Sequence, residues 1–310
     1  MKLETSSRLH FGIIDLSRKF VREYGALGVM IEGGYQIDIS PCKDGSDIQG
    51  DEHIVKEVKA IHKRLDERYD LKSGYEIKVL RQVPRHIGLG STTQLHMGIG
   101  AGILRSEGIE VSLKELAMAV GRSRYSAIGT YGFKHGGFIL EGGKAYPDEI
   151  PPLTARYDVP EDWRFLIVCP KDIQSYDEDE EKPIMEELKV DAMYPRQISH
   201  HIIMGMLPAL KSNDIEDFGY HLSKIQHLVG ESFSGYQGGV FHPAIEDVIH
   251  KMDDITYGAG QSSWGPTAYG LIDVDNADIV KEKMEHWLQK QGMEAHLWLA
   301  KPVNHGVLIG

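Results

Sequence analysis

The chain is poor in cysteine and in long apolar runs, and each shortage excludes a class of protein. Its two cysteines, Cys42 and Cys169, stand far apart without a Cys-x-x-Cys pair, so we expect free thiols rather than a disulfide framework. No apolar stretch approaches membrane-spanning length, and the N-terminus from Met1 to Thr5 lacks the apolar core of a secretion signal. These shortages predict a cytoplasmic protein with no membrane partner.

Positive charge is also scarce, with 34 lysines and arginines against 46 aspartates and glutamates and a formal net charge of −12. Binding to nucleic acid needs a face rich in lysine and arginine, so we expect no nucleic-acid partner. A small anionic ligand stays compatible with this charge, because a few backbone N–H groups and one or two cations bind it locally. The histidines show no His-Glu-x-x-His pattern or i, i+4 pair typical of a zinc site.

Strand and helix patterns are mixed along the whole chain of 310 residues, which is long enough for two domains. His53 to Tyr69 has the spacing of an amphipathic helix. Ile198 to Leu210 and Ile215 to Val229 predict a helical hairpin, with Asp214 as the N-cap of its second helix. The acidic run from Asp177 to Glu181 is typical of a solvated loop. The predicted class is α/β or α+β.

A cluster of prolines marks the expected boundary between the domains. Four of them, at positions 147, 151, 152 and 160, lie where the composition shifts. We therefore predict an N-terminal domain over residues 1–155 and a C-terminal domain over residues 156–310.

A glycine-rich run, Pro84 to Gln94, lies between a predicted strand, Tyr75 to Val83, and a predicted helix, Leu95 to Leu104. Gly88 and Gly90 permit positive φ and a close backbone approach, and the next residues leave N–H groups unpaired at the helix start. Such donors, at the positive end of a helix dipole, favour a phosphate. The residues predicted to bind it are Gly88, Leu89, Gly90, Ser91, Thr92, Thr93 and Gln94. The run matches neither a P-loop nor a dinucleotide fingerprint, and the alternative is a turn that only joins strand to helix.

Three segments, in this order, resemble the motifs of the GHMP kinases, which include galactokinase, homoserine kinase and mevalonate kinase. They are an early strand from Ser7 to Gly12, the phosphate loop from Pro84 to Thr92, and a late glycine-rich segment from Gly258 to Thr267. The resemblance implies the two-domain GHMP-kinase fold, with an N-terminal ribosomal-S5-domain-2-like domain and a C-terminal ferredoxin-like α+β domain.

One departure from the kinase pattern bears on activity. Several of these kinases carry an aspartate seven residues before a Gly-Gly pair, where it assists phosphate transfer to a hydroxyl. Counting back from Gly136 and Gly137, that position holds Gly129, which cannot accept a proton or orient a hydroxyl. Because other kinases of the group also lack this aspartate, the departure weakens the kinase interpretation without removing it.

Longer segments resemble the archaeal β-ribofuranosylaminobenzene 5'-phosphate synthases of methanopterin biosynthesis. These segments are Ser7 to Leu16, Gly88 to Gln94, His135 to Phe138, Gln237 to Gly239, and Gly260 to Thr267. The resemblance implies a decarboxylating phosphoribosyl transfer from phosphoribosyl diphosphate to 4-aminobenzoate or 4-hydroxybenzoate, with Mg²⁺ as cofactor and a homodimer as the assembly. The residues do not decide between the two acceptors.

The resemblance also implies roles for residues outside the loop. Asp15 and Arg22 are the predicted catalytic residues, with Asp15 stabilising a cationic centre or holding Mg²⁺, and Arg22 pairing with it or gripping an anion. Their alternative is a surface ion pair beside a turn. The predicted substrate-binding residues are Arg8, His10, Gly260, Gln261, Ser262 and Ser263. Arg8 and His10 alternate along one strand and so share a face, and the alternative for His10 is a histidine whose bonds are satisfied within the strand.

The role of two further arginines is undecided by the sequence, and two other functions are compatible with it. Arg122 and Arg124, next to Ser123 and Ser126, suit an anion or are simply solvated. The chain can alternatively be an ATP-dependent small-molecule kinase of the GHMP type. The third possibility is a non-catalytic ligand-binding relative that kept the fold.

Overall fold

Strands form where apolar residues alternate, and helices form where they recur every three to four residues. The computed structural model describes residues 1–42, 46–171, 173 and 178–310. The strands are β1 (Lys2–Glu4), β2 (Ser7–Asp15), β3 (Tyr24–Ile31), β4 (Gln36–Cys42), β5 (Asp47–Gln49), β6 (Gly74–Arg81), β7 (Phe138–Glu141), β8 (Leu153–Tyr157), β9 (Trp163–Pro170), β10 (Gly258–Gln261), β11 (Ala268–Asp273), β12 (Ala295–Ala300) and β13 (Leu308–Ile309). The helices are α1 (Glu52–Tyr69), α2 (Ser91–Ser106), α3 (Leu113–Ala119), α4 (Ile128–His135), α5 (Glu178–Glu187), α6 (Met193–His201), α7 (Leu207–Ser212), α8 (Ile215–Gln237), α9 (Glu246–Ile255) and α10 (Ala277–Gln291). A π-helical turn, Ile202–Met206, joins α6 to α7.

The described strands form three sheets, in the orders β13-β1-β4-β6-β5, β2-β3-β7-β8 and β10-β11-β9-β12. Their pairings are antiparallel except for that of β5 with β6. The end of the chain returns to its start, because Ile309 lies opposite Leu3 in the first sheet. Strand β2 belongs to the second sheet, and the glycine-rich run follows β6 of the first sheet.

The sequence patterns predict most of these elements correctly. Helix α1 confirms the amphipathic pattern of residues 53–69, and β6 and α2 flank the glycine-rich run as expected. Asp214 is confirmed as the N-cap of α8, since its Oδ1 accepts a hydrogen bond from the backbone N of Asp217 at 3.0 Å.

The acidic run is where the prediction is wrong. Residue 177 lies outside the described residues, but Glu178–Glu187 form helix α5 instead of a loop. Carboxylates are favoured in the first turn of a helix, where they meet the positive end of its dipole. A run of acids therefore starts a helix as readily as it solvates a loop.

The predicted domain boundary at residue 155 falls inside β8. This strand pairs with β7, so that Ala155 lies opposite Leu140 in the second sheet. The division into residues 1–155 and 156–310 stays a prediction.

Helix α2 lies in the core between β4 and α3. Its glycines allow this position, because a Cβ added at Gly100 would lie within 3.0 Å of Val120, and one at Gly102 would do the same with Ile39. The helix is therefore anchored firmly behind the turn that it follows. No helix in the described part of the chain is long and apolar enough to cross a membrane.

Candidate active site

A cleft of about 680 Å³ opens at the start of α2. Its walls come from β2, from the turn after β6, from α1, from the connection between α3 and α4, from α5 and from the segment after β10. The early, middle and late segments picked out in the sequence thus meet in one place.

The glycine-rich turn forms one wall of the cleft. Gly88 and Gly90 have positive φ values of 83° and 73°, and Gly90 is the N-cap of α2. The first backbone N–H of the helix with an intrahelical acceptor is that of Gln94, which donates to Gly90 O at 3.2 Å. The N–H groups of the three residues before it have no acceptor within the helix and are available to an anion.

Five of the seven predicted loop residues line the cleft and two do not. The lining residues are Gly88, Gly90, Ser91, Thr92 and Thr93. Leu89 is buried in the hydrophobic core, and Gln94 is fully buried with its Nε2 donating to Gly129 O at 2.9 Å. These two side chains hold the turn in place from behind.

Arg8 joins β2 to this turn. Its backbone N donates to Leu89 O at 3.0 Å, and its Nη1 donates to Gly88 O at 3.1 Å. Burial lowers the pKa of the Arg8 guanidinium to about 10; the Glu181 carboxylate acts against this shift, and the Arg122 guanidinium adds to it. Arg8 therefore keeps its charge at neutral pH and brings a fixed cation to the loop.

His10 lies two residues further along β2, on the same face. Its Nδ1 accepts from the backbone N of Gly12 at 3.2 Å, which places the ring proton on Nε2, 3.1 Å from Ser126 Oγ. Burial, and then the charge of Arg8, hold the pKa of His10 well below its usual range. His10 is thus a neutral donor to Ser126, which itself lines the cleft.

The late glycine-rich segment supports the turn more than it faces the cleft. Ser262 Oγ donates to Gly88 O at 2.7 Å and accepts from the backbone N of His10 at 3.0 Å. Gln261 is buried and bonded to the backbone N of His242 at 2.7 Å and to Gln237 Oε1 at 3.2 Å.

Of the four predicted substrate-binding residues in the late segment, Ser263 lines the cleft together with its neighbour Trp264. Gly260, Gln261 and Ser262 are buried and do not line the cleft, although Ser262 and Gln261 bond residues that do.

Asp15 and Arg22 lie outside the lining of the cleft. Asp15 Oδ1 accepts from the backbone N and the Oγ of Ser17, both at 2.7 Å. Arg22 Nη1 donates to Gly143 O at 2.8 Å, and its Nη2 forms an exposed ion pair with Glu149 Oε1 at 3.2 Å. The partner of Arg22 is therefore Glu149 and not Asp15, and the catalytic roles of both residues stay predictions.

Arginine dominates the cleft, although the protein as a whole is acidic. Besides Arg8, the lining arginines are Arg64, Arg68, Arg122 and Arg124. The carboxylates among the described lining residues are Glu67 and Glu181. A cleft lined mainly by charges of one sign concentrates their field, so this cleft attracts an anion that carries several charges.

Sequence reasoning missed Arg64 and Arg68. On helix α1 they fall on the charged side of an amphipathic pattern, where solvation is the usual explanation. Their spacing could have indicated an anion site, because two arginines at i and i+4 repel each other on one helix face.

Gly129, in the position where several kinases have an aspartate, lies in the wall of the cleft. A Cβ added there would lie 2.9 Å from Thr93 Cγ2. The methyl group of Thr93 thus occupies the space next to Gly129 that a longer side chain would enter. An aspartate at position 129 would require Thr93 to move.

The described residues offer no cluster of three or more His, Cys, Asp or Glu side chains that could hold a metal ion. The two lining carboxylates sit among arginines, and Glu181 already interacts with the charge of Arg8. These residues do not fit a metal ion held by the protein alone.

The fold and these motifs have known counterparts. The sequence matches the family descriptions "GHMP kinases N terminal domain" over residues 53–136 and "GHMP kinases C terminal" over residues 206–290. A galactokinase structure from Lactococcus lactis is 12% identical and superposes with a TM-score of 0.71, covering 99% of this chain and 94% of that one. The chain belongs to the GHMP kinase superfamily, and the mixed α/β fold predicted from the motifs is confirmed.

More similar sequences narrow this membership. A β-ribofuranosylphenol 5'-phosphate synthase from Archaeoglobus fulgidus is 29% identical over 100% of this chain and 99% of its own length. The enzyme of the same name from Methanothermobacter thermautotrophicus is 30% identical over 87% of this chain and 88% of its own length. Within the superfamily, the chain belongs to the family of the β-ribofuranosylphenol 5'-phosphate synthases.

Proposed function

We propose that the protein is a decarboxylating phosphoribosyltransferase of methanopterin biosynthesis. It joins the ribosyl phosphate of phosphoribosyl diphosphate to the ring of 4-hydroxybenzoate or 4-aminobenzoate, and it releases CO₂ and diphosphate. The observation that carries the proposal is a cleft with a phosphate-binding turn and five lining arginines, but with glycine where several kinases have an aspartate. The names of the relatives, which specify a phenol, support the same reaction and favour the hydroxyl acceptor.

The chemistry of this transfer suits the residues of the cleft. The para hydroxyl or amino group donates electron density to the ring carbon that bears the carboxylate. That carbon attacks ribosyl C1 as the bond from C1 to the diphosphate breaks, and loss of CO₂ returns the electron pair to the ring. Because CO₂ leaves in place of a ring proton, the reaction needs no general base at Gly129.

The turn and Arg8 are placed to hold the leaving group. The free N–H groups at the start of α2 and the buried guanidinium of Arg8 meet the charge that develops on diphosphate. Ser126, oriented by the neutral His10, offers a further hydroxyl at the same wall. Since these donors are fixed before the reaction, little reorganisation accompanies bond breaking.

The aromatic acceptor fits a different part of the lining. Ile13, Tyr125, Met185 and Trp264 supply apolar and aromatic surface beside the arginines. Trp264 is itself held by Phe233, with the ring centroids 4.6 Å apart. A planar ring with one carboxylate matches such a surface, which is apolar with a few charged groups at its edge.

The metal ion and the assembly are also part of the proposal. Since the cleft does not fit a metal held by protein carboxylates alone, we propose Mg²⁺ as an ion that arrives bound to phosphoribosyl diphosphate. No step above passes through it. The homodimer that the resemblance implies and the cytoplasmic location expected from the sequence are likewise part of the proposal.

Release of labelled CO₂ tests the reaction. Carboxyl-labelled 4-hydroxybenzoate and 4-aminobenzoate should each be assayed with and without phosphoribosyl diphosphate, and the faster of the two identifies the acceptor. Arg8→Ala should lower kcat/KM at least about 100-fold, as expected for loss of a preorganised charge. Arg105→Ala, at an exposed arginine near the end of α2, is the matched control and should leave the rate unchanged.

The kinase alternative predicts the opposite pattern. Homoserine kinases are among the relatives, for example the enzyme from Methanococcus maripaludis, at 24% identity over 72% of this chain. ADP formation from ATP with an alcohol substrate, without CO₂ release from either acid under any divalent-metal condition, would overturn the proposed transfer.

A further inference from the structure

Arg64 and Arg68 form a second group of positive charge in the cleft, away from the glycine-rich turn. They lie one turn apart on α1, and both line the cleft. Arg64 Nη1 approaches Val120 O at 3.4 Å, and a Cβ added at Gly121 would lie 2.5 Å from that same nitrogen. Arg64 is thereby held against the segment that leads into Arg122, whose own charge reaches Arg8.

The two guanidinium groups have structural partners but no close carboxylate in the described part of the chain. Arg64 bonds Val120 O. Arg68 lies over the Tyr69 ring, and its charge adds to the hydrogen bonds from Ser112 in lowering the pKa of Glu115.

Like charges at i and i+4 on one helix face repel each other. The acid between them, Glu67, forms its ion pair with Lys63 at 3.8 Å. Among the described residues, no carboxylate lies within 4.0 Å of the Arg64 or Arg68 guanidinium groups. Two such forks facing one cleft match the oxygens of a phosphate.

We propose that Arg64 and Arg68, next to Arg122, bind the 5'-phosphate of the phosphoribosyl donor, while the glycine-rich turn and Arg8 bind its diphosphate. The assignment rests on the proposed function, because that donor carries an anionic group at each end of its ribose. One wall of the cleft offers backbone donors and a buried guanidinium, and the α1 wall offers exposed guanidinium groups. A ligand with two separate anionic groups uses both walls, whereas a purine base needs an apolar slot.

Binding of the two halves of the donor, measured separately, tests this assignment. The probes are ribose 5-phosphate and inorganic diphosphate, titrated calorimetrically into the wild-type protein and into Arg64→Ala/Arg68→Ala. The double variant should bind ribose 5-phosphate about 10- to 100-fold more weakly, the scale of a lost charge-assisted contact, and diphosphate within about 3-fold of wild type. Its KM for phosphoribosyl diphosphate should rise, and its KM for the aromatic acid should not.

Lys56→Ala/Lys59→Ala is the matched control. It removes the same charge from the same helix at exposed positions outside the cleft, and it should bind both probes as the wild type does. Equal weakening of both probes in the arginine variant, or equal weakening in the control, would mean a general electrostatic effect and would overturn the assignment. Arg64→Lys/Arg68→Lys should restore part of the affinity for ribose 5-phosphate.

Failure of this site and failure of the proposed function give different results. If the wild-type protein releases CO₂ but the arginine variant binds ribose 5-phosphate normally, the site assignment is wrong and the reaction stands. If Arg64 and Arg68 are needed for ribose 5-phosphate binding but no CO₂ is released, the site stands and the reaction is wrong.

Discussion

The two glycine-rich segments of this protein look alike in sequence, and they do different things. The turn at Gly88 to Thr93 opens onto the cleft, and its residues other than Leu89 line it. The segment from Gly260 to Ser262 is buried behind that turn, and Ser262 Oγ holds Gly88 O from below. One segment lines the cleft, and the other supports the shape of that lining.

A glycine-rich motif can therefore mark a place where backbones meet as well as a place where a ligand binds. At Gly88, an added Cβ would lie within 3.0 Å of Ser262 O, and at Gly260 it would lie within 3.0 Å of the Gln226 side chain. Both glycines are needed for contact inside the protein. Changes in the first segment should therefore affect turnover, and changes in the second should affect stability first.

Gly88→Ala should have the largest effect. The new methyl group meets the carbonyl of Ser262, and the residue has a positive φ of 83° that alanine disfavours. We expect the free energy of unfolding to fall by about 3 kcal/mol and kcat/KM to fall at least about 100-fold, because the turn can no longer aim its donors. Chemical unfolding and the CO₂ assay, the latter at a temperature where circular dichroism shows folded protein, measure the two quantities.

Gly33→Ala is the control for backbone strain alone. Gly33 also has a positive φ, of 94°, but an added Cβ there meets nothing within 4 Å. It should lose about 1 kcal/mol of stability and keep its activity. Equal loss of activity in the two variants would contradict a special role for the turn.

Gln261→Ala should give the next largest effect, and mainly on stability. It leaves the backbone N of His242 and the side chain of Gln237 without their buried partner. We expect unfolding to become easier by about 2–4 kcal/mol, with kcat/KM lowered less than about 10-fold. Gln289→Ala, on the exposed side of α10, should change stability by less than about 0.5 kcal/mol. A greater than 100-fold loss of kcat/KM in folded Gln261→Ala would place this segment in contact with substrate.

Glu141→Gln tests a buried carboxyl that supports the start of α4, outside both glycine-rich segments. Burial raises the pKa of this carboxyl from 4.5 to about 7, against hydrogen bonds from the backbone N of Gly143 and of Ala127, at the start of α4, and the charge of Lys144. The folded protein therefore holds this proton more tightly than the unfolded chain does, so its stability falls as pH rises from about 4.5 to about 7. Above that range the contribution is constant.

The glutamine variant lacks this proton and should lack its pH dependence. Between pH 5 and pH 8, the wild-type protein should lose about 2–3 kcal/mol more stability than Glu141→Gln, measured by urea unfolding at both pH values. Parallel pH dependence of the two proteins would show that Glu141 does not titrate in this range.

Local patterns in the sequence predict much of the fold. The alternation before Pro84, the glycines after it and the helical spacing that follows are local features, and they predict β6, the turn and α2. Asp214 is also a local signal, because an N-cap acts within one turn.

The side of each segment that faces the cleft could not be predicted from local patterns. Ser262 and Gly88 are 174 residues apart, and nothing near either of them states that they share a hydrogen bond. Arg64 and Arg68 lie on the charged side of α1, and the sequence does not show that this side lines a cleft, where Arg64 contacts residues 120 and 121. Which side of a segment faces a ligand depends on contacts between distant parts of the chain.

Arg22→Ala should have the smallest effect on stability, and it tests the residue that lies outside both segments. Its ion pair with Glu149 is exposed, so its loss should lower the free energy of unfolding by less than about 1 kcal/mol. A fall in turnover by orders of magnitude, which the family resemblance predicts for Arg22 and Asp15, would then have to be catalytic and would require the chain around residue 22 to approach the cleft during the reaction. Lys19→Ala, an exposed cation three residues earlier, is the matched control. Unchanged rates of CO₂ release in Arg22→Ala and Asp15→Ala would remove both residues from the active site and leave the cleft-lining turn, Arg8 and the α1 arginines to account for the binding of the donor.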